Sequence, residues 1–218
     1  MYFESRAEAG RILADQLFEL YRYENCAVVA LSDGAVLVGE QIAAALHCVL
    51  NLLVTEEIEI PGESMTFGAV ASGGGFSYNS DLSSGEIDNY TSEFHGYLEE
   101  QKREAFQRIN RLVGDSGVID VDLLRERNII LVSDGLVSGA AIDVALDFLK
   151  PVRIERLIVA SPTASVPVID KLHVAADEIH VLDVKDNFMG VDHYYENNTI
   201  PSHEATIQKI NQIVLNWL

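Results

Sequence analysis

The sequence predicts an α/β fold: a parallel sheet of five strands flanked by helices, in a single domain over residues 1–218. Three observations carry that expectation. Apolar, β-rich runs alternate with segments of helical period, the order that crossover helices between parallel strands produce. Small or polar residues close the clearest runs, as in Ser32-Asp33-Gly34 after Cys26–Leu31 and Asp134-Gly135 after Asn128–Ser133. A chain of 218 residues with 48% apolar composition can fill one well-built core, and not comfortably two.

The elements follow in order. A helix is expected from Ser5 to Tyr23, then the strand Cys26–Leu31. The small-residue turn Ser32-Asp33-Gly34-Ala35 leads to a helix from Gly39 to Leu50. Leu52 to Ile60 is a second strand, stopped by the turn signal Pro61-Gly62, and Thr66 to Ala71 a further short one. The segment 72–90 (Ser72 to Tyr90) is rich in Gly, Ser, Asn and Asp and is expected to be a flexible lid loop with a short hairpin around Phe76-Ser77-Tyr78. A helix from Asn89 to Val113 stops at Gly114. Then come the strand Asn128–Ser133, a helix from Ser138 to Leu149, the strand Leu157–Ala160, a helix from Val166 to Ala175 and the strand Glu178–Val184. Ser202 caps a closing helix that reaches Trp217.

Charge narrows the partners. Fifteen basic residues against thirty-four acidic ones give a net −19. The imbalance is concentrated: residues 1–100 carry three basic and seventeen acidic side chains, and residues 23–101 hold no lysine or arginine at all. So negative a surface repels nucleic acid and anionic membrane. The longest apolar-leaning run, Ile42 to Val54, contains His47 and Asn51 and is too short to span a bilayer. Met1-Tyr2-Phe3-Glu4-Ser5-Arg6 lacks the pattern of a signal peptide, and Cys26 and Cys48 sit in apolar runs like reduced core thiols, so a cytoplasmic protein is expected. The six histidines show no metal spacing, and neither a Gly-x-Ser-x-Gly elbow nor a Walker loop is present. The cluster Glu56-Glu57-Glu59-Glu63 alternates with Ile58 and Ile60, the pattern of a strand with one solvated face.

The most informative segment is Ile129-Ile-Leu-Val-Ser-Asp-Gly-Leu-Val-Ser-Gly-Ala-Ala141. A buried strand ends at Asp134, a loop with two glycines follows, and a helix opens at Ser138. In open α/β sheets ligands bind at this edge. A loop feeding a helix N-terminus presents backbone N–H groups suited to phosphate, and Asp134 beside it could hold sugar hydroxyls. The plain alternative is a strand–turn–helix in which Ser138 is an N-cap and Asp134 a turn former.

This segment resembles the signature of type I phosphoribosyltransferases: apolar residues, acids, small residues, then Ser/Thr-Gly. The opening Phe3-Glu-Ser-Arg-Ala-Glu-Ala-Gly-Arg-Ile-Leu-Ala14 is similar to that of a bacterial branch of the family, and Val28-Val-Ala-Leu-Ser-Asp-Gly-Ala-Val-Leu-Val-Gly39 is similar to its first strand and pyrophosphate loop. Ile60-Pro-Gly62, Phe67-Gly-Ala-Val70, Ala176-Asp-Glu178, Phe188-Met-Gly-Val191 and Tyr194-Tyr195 extend the likeness along the chain. The resemblance implies a five-stranded parallel core with a small hood that binds phosphoribosyl pyrophosphate (PRPP) with magnesium. It places Asp134 at the ribose and the metal, Val137, Ser138, Gly139, Ala140 and Ala141 around the 5′-phosphate, and Ser32, Asp33, Gly34 and Ala35 at the pyrophosphate. A homo-oligomer, a dimer, is expected with it.

The departures from the family pattern set the functional expectation. Ser133 stands where the first of two acids is usual, Ala141 where a Thr is usual, and Ser32-Asp33-Gly34-Ala35 where the family has Pro-Arg-Gly-Gly. Glu56-Glu57 replaces a basic pair on the second strand. Each such charge reversal removes an attraction worth about 1 kcal/mol in water and about 4 kcal/mol near a protein surface at ~4 Å, and adds a repulsion. The expectation is therefore a protein that binds a phosphorylated small molecule (PRPP, a sugar phosphate or a nucleotide) with its pyrophosphate site eroded. The alternatives are a non-catalytic ligand-sensing module or an acidic structural subunit on the same fold.

Overall fold

The structure, a computed structural model, describes residues 1–63, 65–113 and 119–216. The expected helix stop at Gly114 and the end of the last helix at Trp217 lie outside the described residues. In chain order the first half contains β1 (Phe3–Ser5), α1 (Arg6–Tyr21), β2 (Cys26–Ala30), α2 (Asp33–Leu46), β3 (Val49–Leu52), β4 (Thr55–Glu59), β5 (Thr66–Ala71), β6 (Phe76–Tyr78), α3 (Ser84–Glu93) and α4 (His95–Val113). The second half contains β7 (Asn128–Val132), α5 (Ala140–Leu149), β8 (Arg156–Ser165), α6 (Val166–Ala175), β9 (Glu178–Lys185), β10 (Tyr195–Asn197) and α7 (His203–Asn216). The chain divides into two compact units, Met1–Leu52 with Ile119–Val137 and Val152–Leu218, and Leu53–Val118 with Ser138–Pro151.

The first unit holds the expected parallel sheet, in the order β3-β2-β7-β8-β9. All four pairings are parallel, with Ala30 opposite Leu52 on one side and Val132 on the other. Every residue of β2 and β7 is buried, which is why these runs are apolar without alternation. Helix α1 is capped by the Ser5 hydroxyl, which accepts from the Glu8 N–H, and buries Ala9, Leu13, Leu17 and Tyr21 at helical spacing. A small second sheet pairs β1 with β10 in parallel, Phe3 opposite Tyr195 and Ser5 opposite Asn197, an element that sequence periodicity does not announce.

Helix α2 begins six residues earlier than expected. Ser32 is its N-cap, its hydroxyl accepting from the Ala35 N–H at 2.9 Å, so the small-residue segment expected to be a turn is the helix's first turn. The helix ends at His47, whose φ of 54° is left-handed, so Leu50 lies in β3 and not in the helix. The single strand expected from Leu52 to Ile60 is two: β3 belongs to the parallel sheet, and β4 pairs antiparallel with β5 in the second unit.

That second unit is the sheet β4-β5-β6 with α3, α4 and α5. The short hairpin expected around Phe76-Ser77-Tyr78 is present, as β6 paired antiparallel with β5, and the later part of the segment expected to be a loop is the helix α3. Ser83 and Glu86 form a reciprocal capping box, and Ile87, Tyr90 and Phe94 pack on a core of Ile58, Phe67, Val70, Leu98 and Ile109. The one helix expected from Asn89 to Val113 is broken at Phe94, where φ and ψ of −113° and 20° separate α3 from α4. Among the described residues no helix is long and apolar enough to cross a membrane.

Both cysteines are buried and unpaired. Burial pushes the Cys26 thiol up to about 11 and the Cys48 thiol up to about 12. The folded state thus holds the protonated form, and its contribution is full below the unfolded thiol's ordinary range and lost as pH rises through 11 to 12. At pH 8 an aromatic disulfide reagent should react with neither thiol in the native protein and with both after denaturation; rapid native labelling of either one contradicts the burial.

Candidate functional site

The strand order of the parallel sheet reverses between β2 and β7, and the carboxyl ends of those strands form the switch point where open α/β sheets bind ligands. Ser32 follows β2 and Asp134 follows β7, so the fold brings together two of the residues singled out from the sequence. They face each other across that edge, and the Ser32 hydroxyl donates to Asp134 Oδ1 at 3.0 Å.

The second oxygen of Asp134 has a partner that sequence reasoning missed. Arg6, the first residue of α1, is 2% exposed and donates from Nε to Asp134 Oδ2 at 2.7 Å. Its other two nitrogens are also used, Nη2 donating to Asp192 Oδ1 at 2.6 Å and Nη1 to Asn198 Oδ1 at 3.3 Å. The guanidinium carbon lies 4.6 Å from the centre of the Tyr195 ring, and the Tyr195 hydroxyl donates to the backbone carbonyl of Asp134. The β1–β10 pairing sets this arrangement: it fixes Ser5, next to Arg6, against Asn197, and Phe3 against Tyr195. Burial works against the Arg6 charge, yet Asp134 and Asp192 outweigh it and hold the guanidinium above its ordinary pKa. Burial, then the neighbouring Asp134 carboxylate, pushes the Tyr195 phenol well above its usual range.

Helix α2 starts against this pair. A Cβ on Gly34 would stand 2.3 Å from Asp134 Oδ2 and 3.0 Å from Arg6 Nε, so the absence of a side chain there admits the ion pair. Asp33 faces His203, the first residue of α7, whose Nδ1 lies 3.0 and 3.2 Å from its two oxygens. The acid that stands where the family has an arginine therefore has its own partner. Ala35 is buried and gives only its backbone N–H, to the Ser32 cap.

The residues proposed around a 5′-phosphate divide between the two units, Val137 ending a segment of the first and Ser138 beginning one of the second. Val137 is exposed, and its carbonyl accepts from the Ser165 hydroxyl at 3.0 Å. Helix α5 begins at Ala140 with Gly139 as its N-cap, not Ser138, and Gly139 supplies no side-chain bond. The Ser138 hydroxyl accepts from the Ala140 N–H at 3.2 Å and donates to Glu57 Oε1 at 2.8 Å. Thr66 donates to the other Glu57 oxygen at 2.8 Å. A carboxylate thus holds the hydroxyl expected from the sequence to meet a phosphate. Gly139 and Ala140 are buried and Ala141 half-buried.

The acidic strand shows the alternation read from the sequence, with Ile58 buried between exposed Glu57 and Glu59. Its carboxylates are not all solvated: Glu56 pairs with Arg108 of α4, and Glu63 accepts from the Tyr90 hydroxyl at 2.9 Å.

Replacing Arg6 by Met removes the counter-ion of a buried carboxylate. The expected loss of unfolding free energy in urea is about 3–5 kcal/mol, and a cycle with D134N should return a coupling of roughly 1–3 kcal/mol. A loss below about 1 kcal/mol contradicts the pairing.

Against known proteins, no family model matches the chain. A Mycobacterium tuberculosis protein provisionally named as a phosphoribosyl transferase is 26% identical over 211 residues, covering 94% of this chain and 45% of its own length. The chain therefore spans about half the length of the curated relatives it matches. The crystal structure of the protein TT1426 from Thermus thermophilus superposes with a TM-score of 0.70 at 25% identity, covering 100% of this chain and 99% of that one. The AQ2163 protein of Aquifex aeolicus shares the fold at a TM-score of 0.51 and 11% identity, over 83% of this chain and 74% of its own. In sequence, then, the chain is similar to proteins provisionally named phosphoribosyl transferases, and in fold it is similar to TT1426.

Proposed function

We propose that the chain is a non-catalytic phosphoribosyltransferase-like module, a cytoplasmic binding protein for a sugar phosphate or nucleotide that does not transfer a phosphoribosyl group from PRPP. The observation that carries this reading is the Arg6–Asp134 pair. An acid that holds ribose hydroxyls, or stabilises an oxocarbenium-like transition state, works by keeping oxygen lone pairs and negative charge directed at the sugar. Asp134 directs one oxygen to a guanidinium and the other to Ser32, and it is 8% exposed.

Magnesium has no place in this reading. The ion takes an octahedral set of oxygens, commonly one or two carboxylates with substrate phosphates and water. Ser133 and Asp134 supply a single carboxylate, already 2.7 Å from a cationic side chain, and that donor set does not fit. For the monophosphate, what remains is the backbone at the start of α5, where the N-cap Gly139 supplies no side-chain bond and the Ala140 N–H is given to Ser138. Self-association into a dimer belongs to the same reading.

A second function is favoured by a specific contact. With Glu57 on the Ser138 hydroxyl, the start of α5 meets an incoming phosphate with a like charge, worth about 4 kcal/mol at ~4 Å near a surface. If that contact holds against the ligand, the chain is an acidic structural subunit that pairs with an active relative.

Calorimetric titration with PRPP, ribose 5-phosphate and a nucleoside monophosphate, each with and without magnesium, separates the possibilities. The expected result is monophosphate binding that A141D abolishes, with no PRPP binding dependent on magnesium. Magnesium-dependent micromolar PRPP binding overturns the non-catalytic reading, and silence from all three ligands leaves the structural subunit.

A further inference from the structure

In the second unit, three aromatic rings that belong to none of the candidate-site residues surround one ammonium. Lys102 of α4 places its Nζ 4.3 Å from the centre of the Phe76 ring and 5.6 Å from those of Phe67 and Tyr78. The rings belong to the adjacent strands β5 and β6 and stand as walls. Tyr78 is at 90° to Phe67 and 84° to Phe76, with centres 5.4 and 5.0 Å apart. Phe67 is fully buried and anchors the box in the core of the unit, whereas Tyr78 is 43% exposed and forms its outer side. The Lys102 side chain is 17% exposed and makes an ion pair with Glu99 at 3.0 Å, one turn back on α4.

We propose that Phe67, Phe76 and Tyr78 form an alkylammonium-binding cage whose resident occupant is Lys102, and which accepts an external quaternary ammonium when that occupant leaves. Ring faces attract a cation through their quadrupole but accept no ordinary hydrogen bond. A primary ammonium is strongly hydrated and carries three donors, and among the described residues Glu99 accepts from one of them. A quaternary ammonium has no donors to satisfy, so the box suits it better than the side chain that fills it. Lys102 holds the position because it is tethered, its effective concentration being on the order of millimolar or above. The chain's negative charge favours a cationic ligand. This inference uses none of the residues of the proposed phosphate site and stands or falls separately from it.

The test is tetramethylammonium chloride titrated against sodium chloride of equal ionic strength, followed by the aromatic NMR resonances of Tyr78. K102A should give saturable shifts with a millimolar Kd, the wild type should bind at least tenfold more weakly, and K102A/F76L should show no saturation. A folded K102A without saturable shifts overturns the proposal, as does equal binding by K102A and K102A/F76L. If K102A does not fold, the wild type carries the test. The Lys102 Hε resonances, moved upfield by the rings, should return toward those of a solvated lysine as tetramethylammonium is added, and resonances that stay in place overturn the proposal.

Discussion

The constraint on which the candidate site depends is the burial of Arg6. A guanidinium that is 2% exposed is tolerable only with carboxylates and further acceptors around it, and this one has Asp134, Asp192 and Asn198. Each partner comes from a different part of the chain: the end of a sheet strand, a short turn before β10, and the residue just after β10. Satisfying Arg6 therefore draws the N-terminus, the centre of the sheet and the C-terminal quarter of the sequence together. It also settles local choices. Residue 34 carries no side chain because the pair presses on the first turn of α2, and Tyr195 lies beside the guanidinium with its hydroxyl on the Asp134 carbonyl.

Burial and pairing also change the meaning of the acidic composition. Taken from the sequence alone, Asp33, Glu56 and Glu57 are three anions where the family resemblance implies cations. In the structure each has a partner within its own unit: His203 for Asp33, Arg108 for Glu56, and the Ser138 and Thr66 hydroxyls for Glu57. These are contacts within the protein. The three acids are thus tied into the fold, and replacing any one of them with a cation would break a contact within the protein.

Much of the sheet is legible in the sequence because burial on both faces leaves an unmistakable apolar run: β2, β7 and the start of β8 lie where the composition puts them, and β5 and α6 match to the residue. The differences have physical causes. The Gly- and Ser-rich stretch before Asn89 hides a helix because its signal is local, a Ser83-x-x-Glu86 capping box, while its average composition is that of a loop. Ser32 carries the signal of an N-cap, but small residues followed by glycine give the same signal as a turn. Arg6 leaves a clue of its own, a cation in register with Ala9, Gly10, Leu13 and Leu17 on the apolar stripe of α1. Its partners, 128 to 192 positions away, follow from tertiary pairing and have no sequence signal at all.

The central question is whether Asp134 stays with Arg6 when a phosphoribosyl donor is offered. The side-chain Nε–H of Arg6 can be followed by 15N NMR, since a buried, carboxylate-bound guanidinium exchanges its protons slowly. The expected result is a protected Arg6 Nε–H signal at neutral pH that neither moves nor broadens on addition of PRPP with magnesium. A signal lost to rapid exchange in the free protein, or one displaced as PRPP and magnesium saturate the site, would show that Asp134 is available to the ligand and would contradict the non-catalytic reading.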